Sequence, residues 1–174
     1  MKIIVISGSP RKTANTQVMM KFIYEYTKSK NADTVFINLS EGGIDYFRGP
    51  NEQYGETTKQ AIQNITEADI WLVGTPIYNS FYSSALKNLF EYINYKKTPG
   101  KVAGLAILAS GNTGFIDVQT LLTQLMSYFR VITNPKAAYM TADKIKDGQI
   151  ADEDTKARLR TLVDETIALA SKLR

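Results

Sequence analysis

Hydrophobic residues follow two alternating patterns along this chain, one typical of buried strands and one typical of amphipathic helices. The strand-like segments are continuous apolar runs rich in β-branched residues, without the polar alternation of a half-exposed sheet. They span residues 2–7, 34–39, 69–75, 102–110 and about 136–140. We therefore predict five strands, each buried on both faces.

Between these runs, apolar residues recur at the three- and four-residue spacing of a helix with one buried face. Such stripes lie within residues 18–26, 86–93 and 118–129, and a weaker one lies at 57–66. The C-terminal segment starts with acidic residues at 152–154 and ends with basic ones, which matches the two ends of a helix dipole. Strands alternating with helices predict a doubly wound, three-layer α/β fold with right-handed crossovers.

The length of 174 residues, with 44% hydrophobic and 22% charged residues, is that of a single globular domain, which we expect to span residues 1–174. The apolar run at 3–6 is too short for a signal peptide or a membrane span. We therefore expect a cytoplasmic protein without membrane partners.

The chain contains neither cysteine nor histidine. Without cysteine, disulfides, thiolate nucleophiles, cysteine-ligated iron–sulfur clusters and cysteine-type zinc sites are excluded. Without histidine, the commonest general base and metal ligand is missing, and no acidic cluster replaces it. If the chain is an enzyme, we expect a bound cofactor to carry the chemistry, with no catalytic side chain and no metal.

The formal net charge of +4 is compatible with a phosphorylated ligand. The lysines and arginines are scattered among the helix-like segments, however, which is typical of a solvated surface. A nucleic-acid interface would need a dense basic stripe with interleaved aromatic residues. We therefore expect no nucleic-acid partner.

In a doubly wound fold, the ligand lies outside the carboxyl ends of the strands, where the strand order reverses. The segments after the first, third and fourth strands are therefore the informative ones. They are residues 8–16, 76–80 and 110–114, here called the first, second and third loops, and all three are rich in turn and hydroxyl residues. A longer irregular stretch at 42–55 walls the same edge or forms a subunit contact.

The first loop has neither the G-x-G-x-x-G spacing of dinucleotide folds nor the ending of a P-loop. Ser9, Asn15 and Thr16 offer hydrogen-bond donors beside the start of a helix. Arg11 can pair with two oxygens of a phosphate. The alternative is an ordinary capped turn with a surface arginine.

The second loop suits one face of a flat ring such as an isoalloxazine. Pro76 has a fixed φ angle, Tyr78 offers a planar ring, and Asn79 and Ser80 supply short hydrogen-bonding groups. The alternative is a turn with a core tyrosine. The pattern S-x-x-K at Ser84 resembles an acyl-enzyme motif, but Ser83 or Ser84 is more simply a helix N-cap.

The third loop begins with Ser110 and Gly111, and its glycines allow backbone amides to approach a flat ligand. Taken alone, it is equally well a plain glycine turn. Three such loops after strands that meet at one edge favour a flavin phosphate site over three unrelated turns.

These motifs resemble the NAD(P)H-dependent FMN reductase family of flavodoxin-like proteins, which includes quinone, azo-compound and chromate reductases. The similarity lies in Gly8-Ser-Pro-Arg11 with Asn15-Thr16, in Thr75-Pro-Ile-Tyr-Asn79 followed by Leu86-Lys-Asn88, and more weakly in Ser110-Gly111. The resemblance implies an FMN cofactor, NAD(P)H as co-substrate, the strand order 2-1-3-4-5, and a homodimer or homotetramer.

By the same resemblance, Arg11 would hold the phosphate, the ring would lie against Pro76, Ile77, Tyr78 and Asn79, and amides near Ser110 and Gly111 would stabilise the reduced flavin. The acceptor would be a small quinone, azo compound, flavin or metal oxyanion. Two departures matter: Ala14 stands where many members have serine, which implies one phosphate hydrogen bond fewer, and Ile77 replaces a frequent acidic residue, which implies a change of polarity beside the ring.

Two other functions fit a fold of this kind. One is a flavodoxin-like carrier that binds FMN without oxidising nicotinamides, although carriers usually present an acidic docking face and this chain has a pI of about 9.1. The other is a regulatory protein that binds a nucleotide.

Overall fold

A parallel β-sheet forms the middle layer of the fold, as described by a computed structural model that covers residues 1–30 and 32–173. Its strands are β1 (Lys2–Ser7), β2 (Asp33–Asn38), β3 (Ile70–Pro76), β4 (Val102–Ala109), β5 (Ile132–Thr133) and β6 (Ala138–Thr141). The order is β2-β1-β3-β4-β5, with β6 also paired to β4. This confirms the predicted doubly wound fold and the strand order that the family resemblance implied.

The fifth predicted strand is in fact two short strands. Ile132 and Thr133 pair with the start of β4, whereas β6 pairs with its last four residues, 106–109. The chain leaves the sheet between them at Pro135, which has no amide hydrogen to donate to a neighbouring strand. A single strand at 136–140 was therefore the wrong description of this edge.

Five α-helices in the described residues cover the two faces of the sheet. They are α1 (Asn15–Ser29), α2 (Glu56–Glu67), α3 (Ser84–Glu91), α4 (Phe115–Tyr128) and α5 (Glu153–Lys172). Apolar side chains of α1 and α5 pack on one face, and those of α2, α3 and α4 pack on the other. Within β1, Ile3 and Val5 join the first cluster and Ile4 and Ile6 the second, which explains the unalternated sequence of the strand.

A small hairpin precedes α5 and was not predicted. Its strands, β7 (Ile145–Lys146) and β8 (Gln149–Ile150), are antiparallel and joined by Asp147 and Gly148. Both turn residues have positive φ angles, 49° and 73°. An Asp-Gly pair favours this tight turn, so the dipeptide was the signal that could have revealed it.

No helix in residues 1–30 and 32–173 combines the length and the apolar character that a membrane crossing requires.

One lysine departs from the expected pattern of surface charges. Lys101 is only 9% exposed, and its Nζ donates to the carbonyl oxygens of Thr66 at 2.7 Å and Ala68 at 2.6 Å. These carbonyls lie at the C-terminal end of α2, where a positive charge opposes the helix dipole favourably. Burial lowers the pKa of Lys101, and the Asp69 carboxylate partly opposes that shift.

We expect Lys101→Met to lower the free energy of unfolding by about 2 kcal/mol, because two buried carbonyl oxygens would lose their charged donor. Urea denaturation followed by circular dichroism measures the change. Lys97→Met is the matched control, since Lys97 is exposed, and a loss within about 0.5 kcal/mol is expected there. Equal effects of the two substitutions would contradict this role for Lys101.

Candidate functional site

The first, second and third loops leave neighbouring strands at one edge of the sheet. Ser7, the last residue of β1, is opposite Gly74 of β3, and Pro76 at the end of β3 is opposite Leu108 of β4. Because these strands are parallel, the loops that follow them emerge side by side. The predicted convergence at the carboxyl edge is therefore present in the fold.

A direct backbone contact joins the first loop to β3. The amide of Gly8 donates to the carbonyl oxygen of Gly74 at 2.8 Å. A Cβ atom on residue 8 would lie 2.6 Å from that oxygen, which is closer than real Cβ atoms come. Residue 8 must therefore be glycine if the two segments are to meet in this way.

Ser83 completes this junction from the start of α3. Its hydroxyl donates to the carbonyl oxygen of Gly8 and accepts from the amide of Leu86 at 3.1 Å, so it is the N-cap of the helix. Its own amide donates to the Thr75 hydroxyl at 3.1 Å. One buried serine thus connects the first loop, the end of β3 and α3.

The helix-cap interpretation of the S-x-x-K pattern agrees with these contacts. Ser84 is exposed, and the ammonium of Lys87 pairs with Glu91 one turn further along α3. Nothing in this arrangement prepares Ser84 as a nucleophile, so the acyl-enzyme pattern has no structural basis here.

The first loop leads into α1 with an uncapped N-terminus. Ala14 is the N-cap residue, and its side chain makes no capping hydrogen bond. The first turn of α1 also contains no acidic residue. The first amides of a helix have no intrahelical acceptor, and the helix dipole places positive potential there. Asn15 is half-buried and Thr16 is buried at this point.

Arg11 lies on the surface of the same loop. Within the described residues, its guanidinium has no carboxylate partner. An uncapped helix N-terminus beside an unpaired arginine fits a phosphate group, because both provide positive potential and hydrogen-bond donors without a competing anion.

A hydrogen bond between side chains joins the first and second loops above the backbone contact. The hydroxyl oxygens of Ser9 and Tyr78 are 3.1 Å apart, and the Arg11 amide donates to the Ser9 hydroxyl at 3.3 Å. Ser9 has no exposed surface, whereas Tyr78 is half-buried. Ser9 therefore lies beneath the first loop instead of on its surface.

The second loop is a tight, well-defined turn. Tyr78 and Phe81 exchange two backbone hydrogen bonds of 2.8 and 2.9 Å, and the residues between them, Asn79 and Ser80, have φ angles of 48° and 64°. Before the turn, the Ile77 amide donates to Leu108 at 3.0 Å and so continues the β3–β4 pairing. Pro76 is buried as the last residue of β3, while Asn79 and Ser80 are exposed.

The third loop passes close to the second at Gly114. Gly114 is the N-cap of α4 in a left-handed conformation, and a Cβ atom added to it would lie 3.4 Å from Cδ1 of Ile77. Ser110 and Gly111 are exposed, and a Cβ atom on Gly111 would meet nothing within 4 Å. Among the described residues, nothing therefore covers the backbone of the third loop at Gly111.

Two cavities adjoin the first and second loops. The larger, of about 990 Å³, is lined by Ile77, Tyr78, Asn79 and residues at the start of α3. The smaller, of about 580 Å³, lies between Pro10 of the first loop and Tyr46. Ser84 lines both, so both cavities border the start of α3.

The segment 42–55 is fixed at Asp45. Its carboxylate accepts from the Gly55 amide at 2.7 Å and the Thr58 hydroxyl at 2.8 Å, and these bonds lower its pKa. Its carbonyl oxygen accepts from Asn88 at 2.7 Å and from Tyr92 at 2.6 Å. This segment was expected either to wall the carboxyl edge of the sheet or to form a subunit contact. Its position beside Pro10 agrees with the first role.

Ser7, next to the first loop, was not singled out from the sequence. Its hydroxyl is buried at the end of β1, directly before the first loop, and it has no hydrogen-bond partner within the described residues. Its place as the last residue of an apolar strand was the only available signal, because a hydroxyl group there is unusual among β-branched neighbours.

Comparisons with known proteins show the family of this chain. The sequence profile of the NADPH-dependent FMN reductase family matches residues 1–145. An NADH-dependent FMN reductase, SfnF, from Pseudomonas fluorescens (strain Pf0-1) is 30% identical over 171 residues, which cover 97% of this chain and 91% of the relative. An NADPH azoreductase from Bacillus sp. (strain OY1-2) is 27% identical over 172 residues, covering 98% and 93%.

Among solved structures, the flavoenzyme NAD(P)H:(acceptor) oxidoreductase FerB from Paracoccus denitrificans superposes with a TM-score of 0.80. It is 22% identical and the match covers 98% of this chain and 97% of that one. This similarity concerns the fold, which the two chains share over nearly their whole length.

The turn at Asn79 and Ser80 generates a stability prediction. Both residues are left-handed, a conformation that costs a non-glycine residue about 1–2 kcal/mol, and Asn-Gly is the favoured pair for such turns. We expect Ser80→Gly to raise the free energy of unfolding by about 0.5–1 kcal/mol after the entropic cost of glycine.

The matched control is Ser127→Gly, which places glycine on the exposed side of α4, and there the stability should fall. Thermal and urea denaturation of both variants measure the two signs. If Ser80→Gly destabilised the protein as Ser127→Gly does, the left-handed turn would not be the conformation of the second loop in solution.

Proposed function

Because this chain belongs to the NADPH-dependent FMN reductase family, we propose that its three loops hold FMN and that it reduces this flavin with NAD(P)H. The chain is an NAD(P)H-dependent oxidoreductase of the FMN reductase type. Bound FMN would supply the redox chemistry, hydride acceptance from the reduced nicotinamide and electron transfer to a small acceptor. We place this activity in a single domain spanning residues 1–174.

The observation that carries the assignment of the site is the junction of the first two loops. An uncapped helix N-terminus with Arg11 and a rigid turn with Tyr78 are held side by side by Gly8, Ser83 and Ser9. Such a pair of loops fits a ligand that has an anionic group at one end and a flat ring at the other.

The phosphate end of the ligand belongs at the first loop. The amides of Asn15 and Thr16 and the Arg11 guanidinium supply donors and positive potential, and no described carboxylate competes for Arg11. Ala14 offers no hydroxyl group, so the phosphate depends on backbone amides and Arg11 more than in relatives with serine at this position.

The ring belongs at the second and third loops. Ile77, Tyr78 and Asn79 line one wall of the larger cavity, with Pro76 buried before them at the end of β3 and Ser80 exposed after them. The open space at Gly111, next to Ser110, lets backbone amides reach negative charge that develops on the ring. These groups are fixed before the ligand arrives, so they bind and orient it without a proton donor or base of their own.

For the acceptor, we propose a small quinone, azo compound, free flavin or metal oxyanion. Two relatives are named for reducing an azo compound or FMN, which supports acceptors of this size. The cavity of about 990 Å³ beside Tyr78 is large enough for one such molecule. We place the enzyme in the cytoplasm, where reduced nicotinamide is supplied.

We also propose that the protein acts as a homodimer or homotetramer. Phe81, immediately after the second-loop turn, is 53% exposed, and Tyr46 beside the first loop is 87% exposed. Exposed aromatic rings at the rim of a site are typical of surfaces that a second copy covers.

The test of the function is anaerobic reduction. We expect FMN-loaded protein to lose its flavin absorbance on mixing with NADPH or NADH, and to recover it when a small quinone is added. A flavodoxin-like carrier would stay oxidised with both nicotinamides and is not favoured by the family assignment. If the protein bound no flavin, the remaining hypothesis would be the regulatory protein that binds a nucleotide.

Substitution of Arg11 tests whether its guanidinium binds the phosphate or is an ordinary surface group. We expect Arg11→Ala to weaken FMN binding by about 1.5–3 kcal/mol, because a hydrogen-bonded charge pair would be lost. Isothermal titration of flavin-free protein measures the change. Lys12→Ala removes the same charge from the neighbouring exposed residue and should have a much smaller effect; an equal loss would show a general charge effect.

A further inference from the structure

The larger cavity has one charged residue among the described residues that line it. The others are aromatic or neutral. The lining consists of Ile77, Tyr78, Asn79, Phe81, Tyr82, Ser84 and Lys87. A pocket of aromatic surface with a single charged group fixes the orientation of a flat molecule that carries the opposite charge. This lining therefore fits a flat ligand with one negative group.

The partner of Lys87 lies outside the cavity. Glu91, one turn further along α3, pairs with the Lys87 ammonium and is not among the lining residues. The two side chains are 44% and 42% exposed. Ion pairs with this exposure are weak, because water and salt screen both charges. An anion that enters the cavity can therefore replace Glu91 as the partner of Lys87.

The charges of this ion pair act within the cavity, as Tyr82 shows. Burial raises the pKa of Tyr82, the Lys87 ammonium opposes this rise, and the Glu91 carboxylate adds to it. Tyr82 is half-buried and lines the same cavity. A negative group beside Tyr82 would therefore be attracted by Lys87 and repelled more weakly by Glu91.

On the basis of the proposed function, we propose that Lys87 selects aromatic acceptors that carry a carboxylate or sulfonate group over neutral acceptors with the same ring. Glu91 acts as a positioning residue, because it holds Lys87 beside the cavity and weakens its attraction for the anion. The reaction itself is unchanged: a quinone takes up the hydride supplied by the reduced nicotinamide and one proton from water, and becomes a hydroquinone.

The position of Lys87 favours the acceptor over NADPH as the source of the anion. Lys87 shares its cavity with Ile77 and Tyr78, which belong to the wall assigned to the flavin ring. In NADPH, the additional phosphate is attached to the adenosine, at the opposite end of the molecule from the nicotinamide. A substituent on a small aromatic acceptor stays close to the reacting ring, and so it is the nearer anion.

The test compares two quinones, neutral menadione and anionic naphthoquinone-2-sulfonate. They differ in intrinsic reactivity, so the measured quantity is the ratio of kcat/KM for the sulfonate to that for menadione, relative to the same ratio in wild type. The variants are Lys87→Met, Lys87→Arg and Glu91→Gln. The matched controls are Lys59→Met and Glu56→Gln, which alter an exposed ion pair on α2.

We expect Lys87→Met to lower this ratio about 5-fold, mainly through a higher KM for the sulfonate, because a partly exposed charge contact is lost. Lys87→Arg should keep the ratio near that of wild type. Glu91→Gln should raise it about 2-fold, since Lys87 then has no competing carboxylate. Both control variants should keep the wild-type ratio.

A binding measurement without turnover accompanies the kinetics. Naphthalene-2-sulfonate has the same charged group but cannot be reduced, and isothermal titration gives its dissociation constant for the oxidised protein. We expect about 5-fold weaker binding by Lys87→Met and no change in Lys59→Met.

The inference would be overturned by an unchanged ratio in Lys87→Met, by an equal loss with both quinones, or by the same change in Lys59→Met. A stopped-flow comparison of NADPH with NADH covers the other source of an anion: a loss confined to reduction by NADPH would assign Lys87 to the phosphate of that co-substrate. If Lys87→Met fails to fold, Glu91→Gln still decides. Wild-type protein that oxidises neither nicotinamide would refute the proposed function itself, and that result requires no variant.

Discussion

The close approach of Gly8 to Gly74 is the constraint on which the site depends. The amide–carbonyl bond of 2.8 Å leaves no room for a side chain on residue 8, so the first loop lies directly on the end of β3. Ser83 can then reach the Gly8 carbonyl, and Ser9 can reach Tyr78. With the loops further apart, the two ends of a ligand would meet two independent turns instead of one rigid frame.

The architecture and the meeting of the three loops at one edge of the sheet could be predicted from the sequence, because both follow from local signals. Unalternated apolar runs indicate strands buried on both faces, and the glycine and hydroxyl residues after three of them mark the loops. The interruption at Pro135 could also have been recognised, since proline cannot donate within a sheet. The Asp147-Gly148 turn likewise had a local signal that favours a hairpin.

Other features could not be predicted, because they depend on contacts between residues distant in sequence. Ser9 and Tyr78 are 69 residues apart, and whether Ser9 faces solvent or the interior is decided only when the loops meet. The buried Lys101 is similar: its carbonyl acceptors lie on α2, more than thirty residues earlier. Residue types in a motif indicate the chemistry of a site, whereas the direction of each side chain is a property of the packed fold.

The loops at this edge supply position and polarity, and the structure shows how both are obtained. The donors at the first loop are backbone amides and an arginine, and the turn of the second loop keeps two left-handed residues that a looser segment would avoid. In the proposed site, these fixed groups all serve the cofactor, so discrimination among acceptors depends on the shape and charge of the rim. Tyr46 and Phe81 are the large exposed aromatic residues there, and their side chains would restrict which molecules approach the ring.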